Sequence, residues 1–195
     1  GNKAAVNVGV STFIPKPHTP FQWEPMGDMA GIRAKLGYLI AEFKRPGLKL
    51  RWNDPDESVF EGMLTRGDRR MAAVVERAWR KGAKFDAWQD HFRRDAWAAA
   101  MAEEGLDAAF FTHRPRRIDE VFPWEHIDVA VTRRFLTGDY LMSQRQETRI
   151  DCRHHCFACG ILPKLKDLRR ETPPEAWECP PVTRVADRRP ALIQL

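Results

Sequence analysis

Apolar and polar residues alternate with two periods along the first part of this chain, and each period predicts a type of element. Residues 4–12 form a valine-rich run with three valines on one face, which predicts a buried strand. Residues 28–44 carry apolar side chains at intervals of three and four, which predicts an amphipathic helix. Residues 48–52 alternate apolar and basic side chains, as in a short strand. The chain therefore begins with a predicted strand–helix–strand unit.

The rest of the sequence is mainly helical in pattern. The spacing of apolar residues predicts further helices over residues 57–65, 69–81, 87–104 and 132–146. The proline-rich residues 13–25 are predicted to be irregular, and the charged, proline-rich residues 163–190 to be a linker or poorly ordered tail. Phe85, Trp88 and Trp124 are expected to pack in a core.

The valine-rich strand is expected to need neighbouring strands in a sheet. A strand of this composition is typical of a parallel sheet that is covered on both faces. The sequence predicts too few other strands to build such a sheet, and it begins with Gly1 rather than Met. We therefore expect the chain to be part of a longer protein with a sheet-bearing region upstream.

Three of the four cysteines lie within eight residues, in the pattern Cys152-x3-Cys156-x2-Cys159. Disulfide scaffolds spread their cysteines along the chain, so a tight cluster indicates a metal site in a reducing cytoplasm. Thiolates select zinc or an iron–sulfur cluster over hard cations. We refer to these three residues as the cysteine motif, and we predict that all three bind metal.

The identity of the metal stays open. Zinc would need a fourth ligand, for which His154, His155 and the distant Cys179 are candidates. With three cysteines alone, a [4Fe–4S] cluster would keep one iron free for another ligand. Free buried thiols are the alternative to metal binding. The spacing equals that of the catalytic cluster of radical S-adenosylmethionine (radical SAM) enzymes, yet only a short tail follows it, which favours an accessory or structural site.

Several segments, in order, resemble one bacterial protein family. The family joins an N-terminal cobalamin-binding-like domain to a radical SAM barrel. The matching segments are Val10–Trp23, Arg66–Arg70, Gly82–Trp88, Phe122–Trp124 and Thr148–Cys152 leading into Cys156 and Cys159-Gly160. The resemblance covers most of residues 5–160.

The resemblance implies an α/β fragment that is mainly helical. Residues 1–52 would supply the last strand, loop and helix of a radical SAM partial TIM barrel. Residues 53–147 would form a C-terminal helical domain, 148–162 a small cysteine metal knot, and 163–195 a linker or tail. The catalytic cysteines and the cobalamin-binding-like domain would lie upstream, with S-adenosylmethionine and a [4Fe–4S] cluster as cofactors and cobalamin as a possible third. The family's substrate is unknown.

The loop after the first strand is the implied cofactor site. Phe13, Pro15, Lys16, His18 and Thr19 would lie near the barrel mouth, close to S-adenosylmethionine or substrate. The alternative is a rigid structural corner.

Three arginines are candidates for binding an anionic group of the substrate. They are Arg66, Arg69 and Arg70. Asp68 between them could instead cap the next helix, with the arginines in surface ion pairs.

Two classes of function follow. The first is a part of a radical SAM enzyme, not expected to be active alone. The second is a basic RNA-binding or partner-binding module with a structural zinc site, since the net charge is +5 and arginine pairs recur. However, 27 acidic residues are interspersed among the basic ones, which favours a mixed solvated surface. No apolar run is long enough for a membrane span, so no transmembrane helix or membrane partner is expected. The clustered cysteines predict a cytoplasmic protein.

Overall fold

The structure of this chain is a computed structural model that describes residues 5–173, 175, 179–180 and 188–190. The chain folds into two compact units. The first unit contains Gly1–Pro17 and Glu24–Arg117, and the second contains His18–Trp23 and Ile118–Leu195. Within the described residues, no helix is both long and apolar enough to cross a membrane.

The first unit opens with the predicted strand–helix–strand sequence. Strand β1 covers Val6–Val10, helix α1 covers Met29–Glu42 and strand β2 covers Leu48–Trp52. The two strands are parallel, with Val6 opposite Leu48 and Val10 opposite Trp52. The N-terminus of α1 is capped by Asp28, whose carboxylate accepts the Gly31 amide over 2.8 Å. The α/β character and the mainly helical content predicted from the sequence are confirmed.

The burial predicted for the first strand is wrong. Val6 at the start of β1 is 54% exposed, and Trp52 at the end of β2 is 44% exposed. No residue of β1, α1 or β2 is fully buried. The cause is topological, because β1 pairs with β2 alone in the described residues and two strands cannot cover each other's faces.

The remainder of the first unit is helical. The helices are α2 at Pro55–Arg66, α3 at Met71–Arg80, α4 at Arg94–Glu103 and α5 at Ala108–Thr112. Their apolar faces meet in one core that includes Met63, Val74, Ala78, Ala100 and Phe111. Gly62 permits this packing, because a Cβ there would lie 2.5 Å from the sulfur of Met26.

The predicted helix over residues 87–104 is wrong in its first half. A short 3₁₀ helix at Gln89–His91 precedes α4, which begins only at Arg94. The side chain of Asp86 accepts the Arg93 amide over 3.2 Å, and Phe85 has a left-handed φ of 59°, so the backbone turns before α4. The predicted core positions of Phe85 and Trp88 are also wrong, since they are 69% and 62% exposed.

The second unit is built around aromatic side chains. Its elements are a 3₁₀ helix at Pro20–Trp23, α6 at Arg133–Gln144, β3 at Glu147–Arg149, α7 at Ile161–Lys164, α8 at Lys166–Arg170 and β4 at Arg188–Pro190. The core contains Trp23, Phe122, Trp124 and Leu136. Trp124 is 6% exposed, which confirms its predicted core position.

Two predictions of irregular structure need correction in this unit. The proline-rich segment contains the 3₁₀ helix at Pro20–Trp23, whose first position tolerates proline because no amide donor is needed there. The predicted tail contains the end of α7, all of α8 and β4, which pairs antiparallel with β3. The other parts of residues 171–195 lie mostly outside the described residues.

Candidate functional site

A cleft of about 420 Å³ lies at the carboxyl ends of the two parallel strands. Its walls include Ser11 and Phe13 after β1, Trp52 and Asn53 at the end of β2, and Lys35 from α1. In α/β proteins with parallel strands, ligands bind at this edge because the loops that follow the strands converge there. The position of the cleft therefore makes it the candidate ligand site of the first unit.

The cleft combines a polar edge with exposed aromatic surface. The Ser11 hydroxyl donates to Oδ1 of Asn53 over 3.4 Å, which joins the two strand ends. Phe13 and Trp52 are 52% and 44% exposed, so their rings offer apolar surface to a ligand. Lys35 makes no ion pair within the part of the chain that the structure describes, so its ammonium group can meet an anion in the cleft.

Sequence reasoning found one residue of this cleft and missed the others. Phe13 was a predicted cofactor contact and does line it. Asn53 is not among the predicted contacts. Asn53 directly follows the second strand in the sequence. This position indicates a ligand contact only if the two strands are parallel neighbours, which the structure shows.

Pro15 and Lys16 have structural contacts instead. Pro15 is fully buried, and its carbonyl accepts Nη1 of Arg66 over 3.4 Å. The Lys16 ammonium pairs with Glu61 on α2. For these two residues the observed contacts match the rigid corner that was the alternative interpretation.

His18 and Thr19 belong to the second unit, where His18 lines a separate cleft of about 410 Å³. His18 has a left-handed φ of 57°, and its amide donates to Oε1 of Gln22 over 3.1 Å. Its Nε2 is buried without a hydrogen-bond partner among the described residues. Ion pairs between Lys164 and Asp128 and between Arg133 and Glu125 line the same cleft.

The three predicted anion-binding arginines have different surroundings. Arg66 is 0% exposed, and its Nε donates to the Phe111 carbonyl over 3.1 Å. Arg70 is exposed and forms a bidentate pair with Asp68, which also accepts the Arg70 amide over 3.0 Å. The hydrogen bond from Arg70, partly opposed by burial, holds the pKa of Asp68 below its usual range. Arg69 is exposed.

The cysteine motif lies in a sharply turning segment of the second unit. Cys152 is exposed, whereas Cys156 and Cys159 are half-buried. Ala158 and Gly160, which flank the last cysteine, have positive φ angles of 53° and 115°. The Cys159 carbonyl accepts the Thr132 amide over 2.8 Å, which ties the motif to the N-terminus of α6.

Cys179 lies 20 positions beyond Cys159 in the sequence. Cys179 is exposed, and desolvation of its thiol, followed by the charges of Cys156, Cys159 and Cys152, raises its pKa. The donor set fits a thiophilic metal such as zinc or an iron–sulfur cluster. Within the described ranges, no three Cys, His, Asp or Glu side chains are yet arranged as ligands of one ion.

Carboxylates neutralise many of the arginines that had suggested an RNA-binding surface. Arg70, Arg93, Arg94 and Arg133 each form an ion pair with an acidic residue. Arg116 is 8% exposed and donates to the Arg66 carbonyl over 3.1 Å. The paired arrangement resembles a solvated mixed surface more than a phosphate-binding face.

Comparison with known proteins identifies no relative of this chain. No family model, no curated protein and no solved structure matches this chain.

Proposed function

We propose that this chain is the C-terminal part of a radical SAM iron–sulfur enzyme. The observation that carries the proposal is the parallel β1–β2 ladder, which is open on its faces and has a ligand-sized cleft at its carboxyl ends. A parallel ladder with exposed faces is stable only when further strands and helices cover it. An upstream partial barrel would supply that cover, as the resemblance of Val10–Trp23 to the last barrel strand and loop implies.

In this proposal the cleft contacts S-adenosylmethionine or the substrate. Phe13 and Trp52 offer ring surface to a flat or apolar part of the ligand, and Lys35 offers a cation to a carboxylate or phosphate. Ser11 and Asn53 supply hydroxyl and amide groups at the carboxyl ends of the strands. When bound upstream, the [4Fe–4S] cluster would supply the electron for reductive cleavage of S-adenosylmethionine. This chain's residues would bind and orient the ligand and exclude water.

The cysteine motif supplies an accessory metal site in the same proposal. Cys152, Cys156 and Cys159 would hold zinc or an iron–sulfur cluster in the second unit. The upstream partners would be the radical SAM barrel and a cobalamin-binding-like domain, with cobalamin as a further cofactor. The alternative RNA-binding function has less support, because carboxylates pair with many of its arginines.

The test is reductive cleavage of S-adenosylmethionine by the complete gene product that contains this chain. The protein would be reconstituted with iron and sulfide without oxygen, reduced, and assayed for 5′-deoxyadenosine by chromatography. The proposal expects 5′-deoxyadenosine to form. Its absence with every reductant, in protein with a full complement of iron, would refute the proposal.

A variant of the cleft makes the test specific to this chain. Lys35→Ala should weaken ligand binding about tenfold, since a charge-assisted hydrogen bond contributes roughly 1.5–3 kcal/mol. Lys44→Ala is the matched control, because Lys44 is an exposed lysine that does not line the cleft. Equal affinities of the two variants would exclude Lys35 from the ligand site. Binding of single-stranded RNA that falls steeply with salt would favour the alternative function.

A further inference from the structure

A small pocket in the first unit lies apart from the cleft at the strand ends. Its volume is about 210 Å³, and it shares no lining residue with that cleft. Helices α2 and α4 each contribute side chains at intervals of three and four, because this spacing brings residues to one face of a helix. We call it the aromatic pocket, and its main walls are Phe60 and Met63 of α2, Phe92 before α4, and Trp97 and Met101 of α4.

The three aromatic rings of the pocket pack on one another. The centroid of the Phe60 ring lies 4.2 Å from that of Trp97 and 5.3 Å from that of Phe92, with interplanar angles of 55° and 53°. Tilted pairs of this kind stabilise each other beyond the burial of their surface. The rings therefore form a prebuilt wall, around which the flexible thioethers of Met63 and Met101 can adapt.

Trp97 brings a polar group to this apolar site. The residue is only 8% exposed, and its indole nitrogen is buried without a hydrogen-bond partner among the described residues. A buried donor without an acceptor is costly, and native proteins contain few of them. Because an indole nitrogen can only donate, a molecule that pairs with it must bring an acceptor.

The charged residues that line the pocket already neutralise each other. Arg94 pairs with Asp56, which also accepts Nη2 of Arg33 over 2.8 Å. The Arg94 guanidinium lies 6.0 Å from the centroid of the Phe92 ring, so it packs beside the aromatic wall. A carboxylate would have to compete with Asp56 for Arg94, and a cation would have to displace an arginine from Asp56. The charges therefore favour a neutral ligand.

The volume of the pocket limits the size of that ligand. An apolar cavity of about 150 Å³ holds benzene. The aromatic pocket is somewhat larger, at about 210 Å³, and so has room for one six-membered ring with a short substituent. Since aromatic rings and thioethers form most of its walls, a flat apolar body is the best match.

We propose that the aromatic pocket binds a small neutral aromatic molecule that carries a carbonyl oxygen. The ring of the ligand packs on Phe60 and Phe92, and its carbonyl accepts the indole hydrogen of Trp97. Aromatic aldehydes, ketones and amides belong to this class. The site uses none of the residues of the cleft at the strand ends, so it does not depend on the proposed function.

Acetophenone and ethylbenzene are the paired probes for this site. The two molecules have nearly the same shape, but only acetophenone has an acceptor. Each would be titrated into the isotopically labelled 195-residue chain while NMR follows the indole signals of its seven tryptophans. We expect acetophenone to bind about threefold to tenfold more tightly, since a neutral hydrogen bond contributes a factor of this size.

The indole signals also report where acetophenone binds. The Trp97 signal should move downfield as its hydrogen becomes bonded, and ethylbenzene should not produce this downfield shift. The Trp23 signal is the internal control, because its indole nitrogen is also buried without a partner among the described residues but does not line the pocket. This comparison uses wild-type protein and so does not depend on the folding of a variant.

Two pairs of variants test the walls of the pocket. Trp97→Phe removes the donor and should lower the affinity for acetophenone to that for ethylbenzene, whereas Trp79→Phe, at an exposed position outside the pocket, should not. Ala98→Leu adds bulk to the lining and should weaken binding of both probes about tenfold. Ala102→Leu, at another exposed alanine of α4 that does not line the pocket, should leave both affinities unchanged.

Four outcomes would overturn the proposal. They are equal affinities for the two probes, shifts at other tryptophans while the Trp97 signal stays in place, benzoate that binds as tightly as acetophenone, and no saturable binding of acetophenone. Tight benzoate binding would indicate an anion site at Arg94 instead. The proposed function is tested separately, by 5′-deoxyadenosine formation in the complete gene product, and none of these outcomes bears on it.

Discussion

The side-chain oxygen of Gln22 accepts the indole hydrogen of Trp124 over 2.9 Å, across 102 positions of sequence. The same oxygen accepts the amide of His18 over 3.1 Å, and Gln22 is only 4% exposed. One buried amide therefore supports the left-handed turn at His18 and anchors the aromatic core of the second unit. The hydrogen bond from Trp124 is buried and that from His18 is partly buried, so the loss of this acceptor would be costly.

Gln22→Leu should destabilise the second unit by about 2 kcal/mol, because it removes the acceptor of a buried indole hydrogen and of a partly buried amide. Trp124→Phe removes one donor and keeps most of the ring, so it should cost less. Urea unfolding followed by tryptophan fluorescence and circular dichroism measures both. A larger loss in Trp124→Phe than in Gln22→Leu would show that ring packing outweighs the hydrogen bonds.

Arg66 should be required for folding of the first unit rather than for anion binding. Arg66→Met keeps similar volume but leaves the carbonyls of Phe111 and Pro15 without these donors, which should cost about 3 kcal/mol. Arg69→Met, at an exposed neighbouring position, should change stability by less than about 0.5 kcal/mol. Chemical denaturation measures the stability of both variants, and equal unfolding midpoints would contradict the structural role of Arg66.

Gly160 should tolerate no side chain. In Gly160→Ala the new Cβ would meet Thr132 and the Ala130 carbonyl oxygen in a left-handed conformation, so we expect a loss of about 2 kcal/mol or more. Gly138→Ala is the control, because its Cβ would lie 3.5 Å from Arg149 and alanine favours a helix. Thermal unfolding should give Gly160→Ala a much lower melting temperature than Gly138→Ala. The reverse order would be inconsistent with the turn at Cys159.

The pair between Asp68 and Arg70 should make stability depend on pH. The Arg70 hydrogen bond lowers the pKa of Asp68 in the folded state, so the pair stabilises the protein above the unfolded pKa. That contribution is lost as the pH falls through the lowered folded pKa. Asp68→Asn should therefore cost about 0.5 kcal/mol at pH 7, the scale of an exposed ion pair, and less at pH 2.

Urea denaturation at the two pH values measures this effect. Asp90→Asn, at an exposed carboxylate without an ion pair among the described residues, should match wild type at both. A cost for Asp68→Asn that is as large at pH 2 as at pH 7 would assign the effect to the turn rather than to the charge.

The candidate cleft could be predicted from the sequence only in part. Phe13 follows a recognisable strand, so its place at the strand end was predictable. Lys35 and Asn53 reach the same cleft because β1 and β2 are parallel partners, and no local pattern reports strand pairing. The surroundings of Arg66 were equally hidden, since its acceptors lie 45 and 51 positions away.

The sequence by itself determined the elements whose signals are local. Periodicity located β1, α1 and β2, because apolar spacing and Pro-Gly breaks act over a few residues. The tertiary structure alone decided which polar groups meet. It buried Arg66 and exposed the aromatic rings of Phe85 and Trp88, because these outcomes depend on contacts between residues distant in sequence.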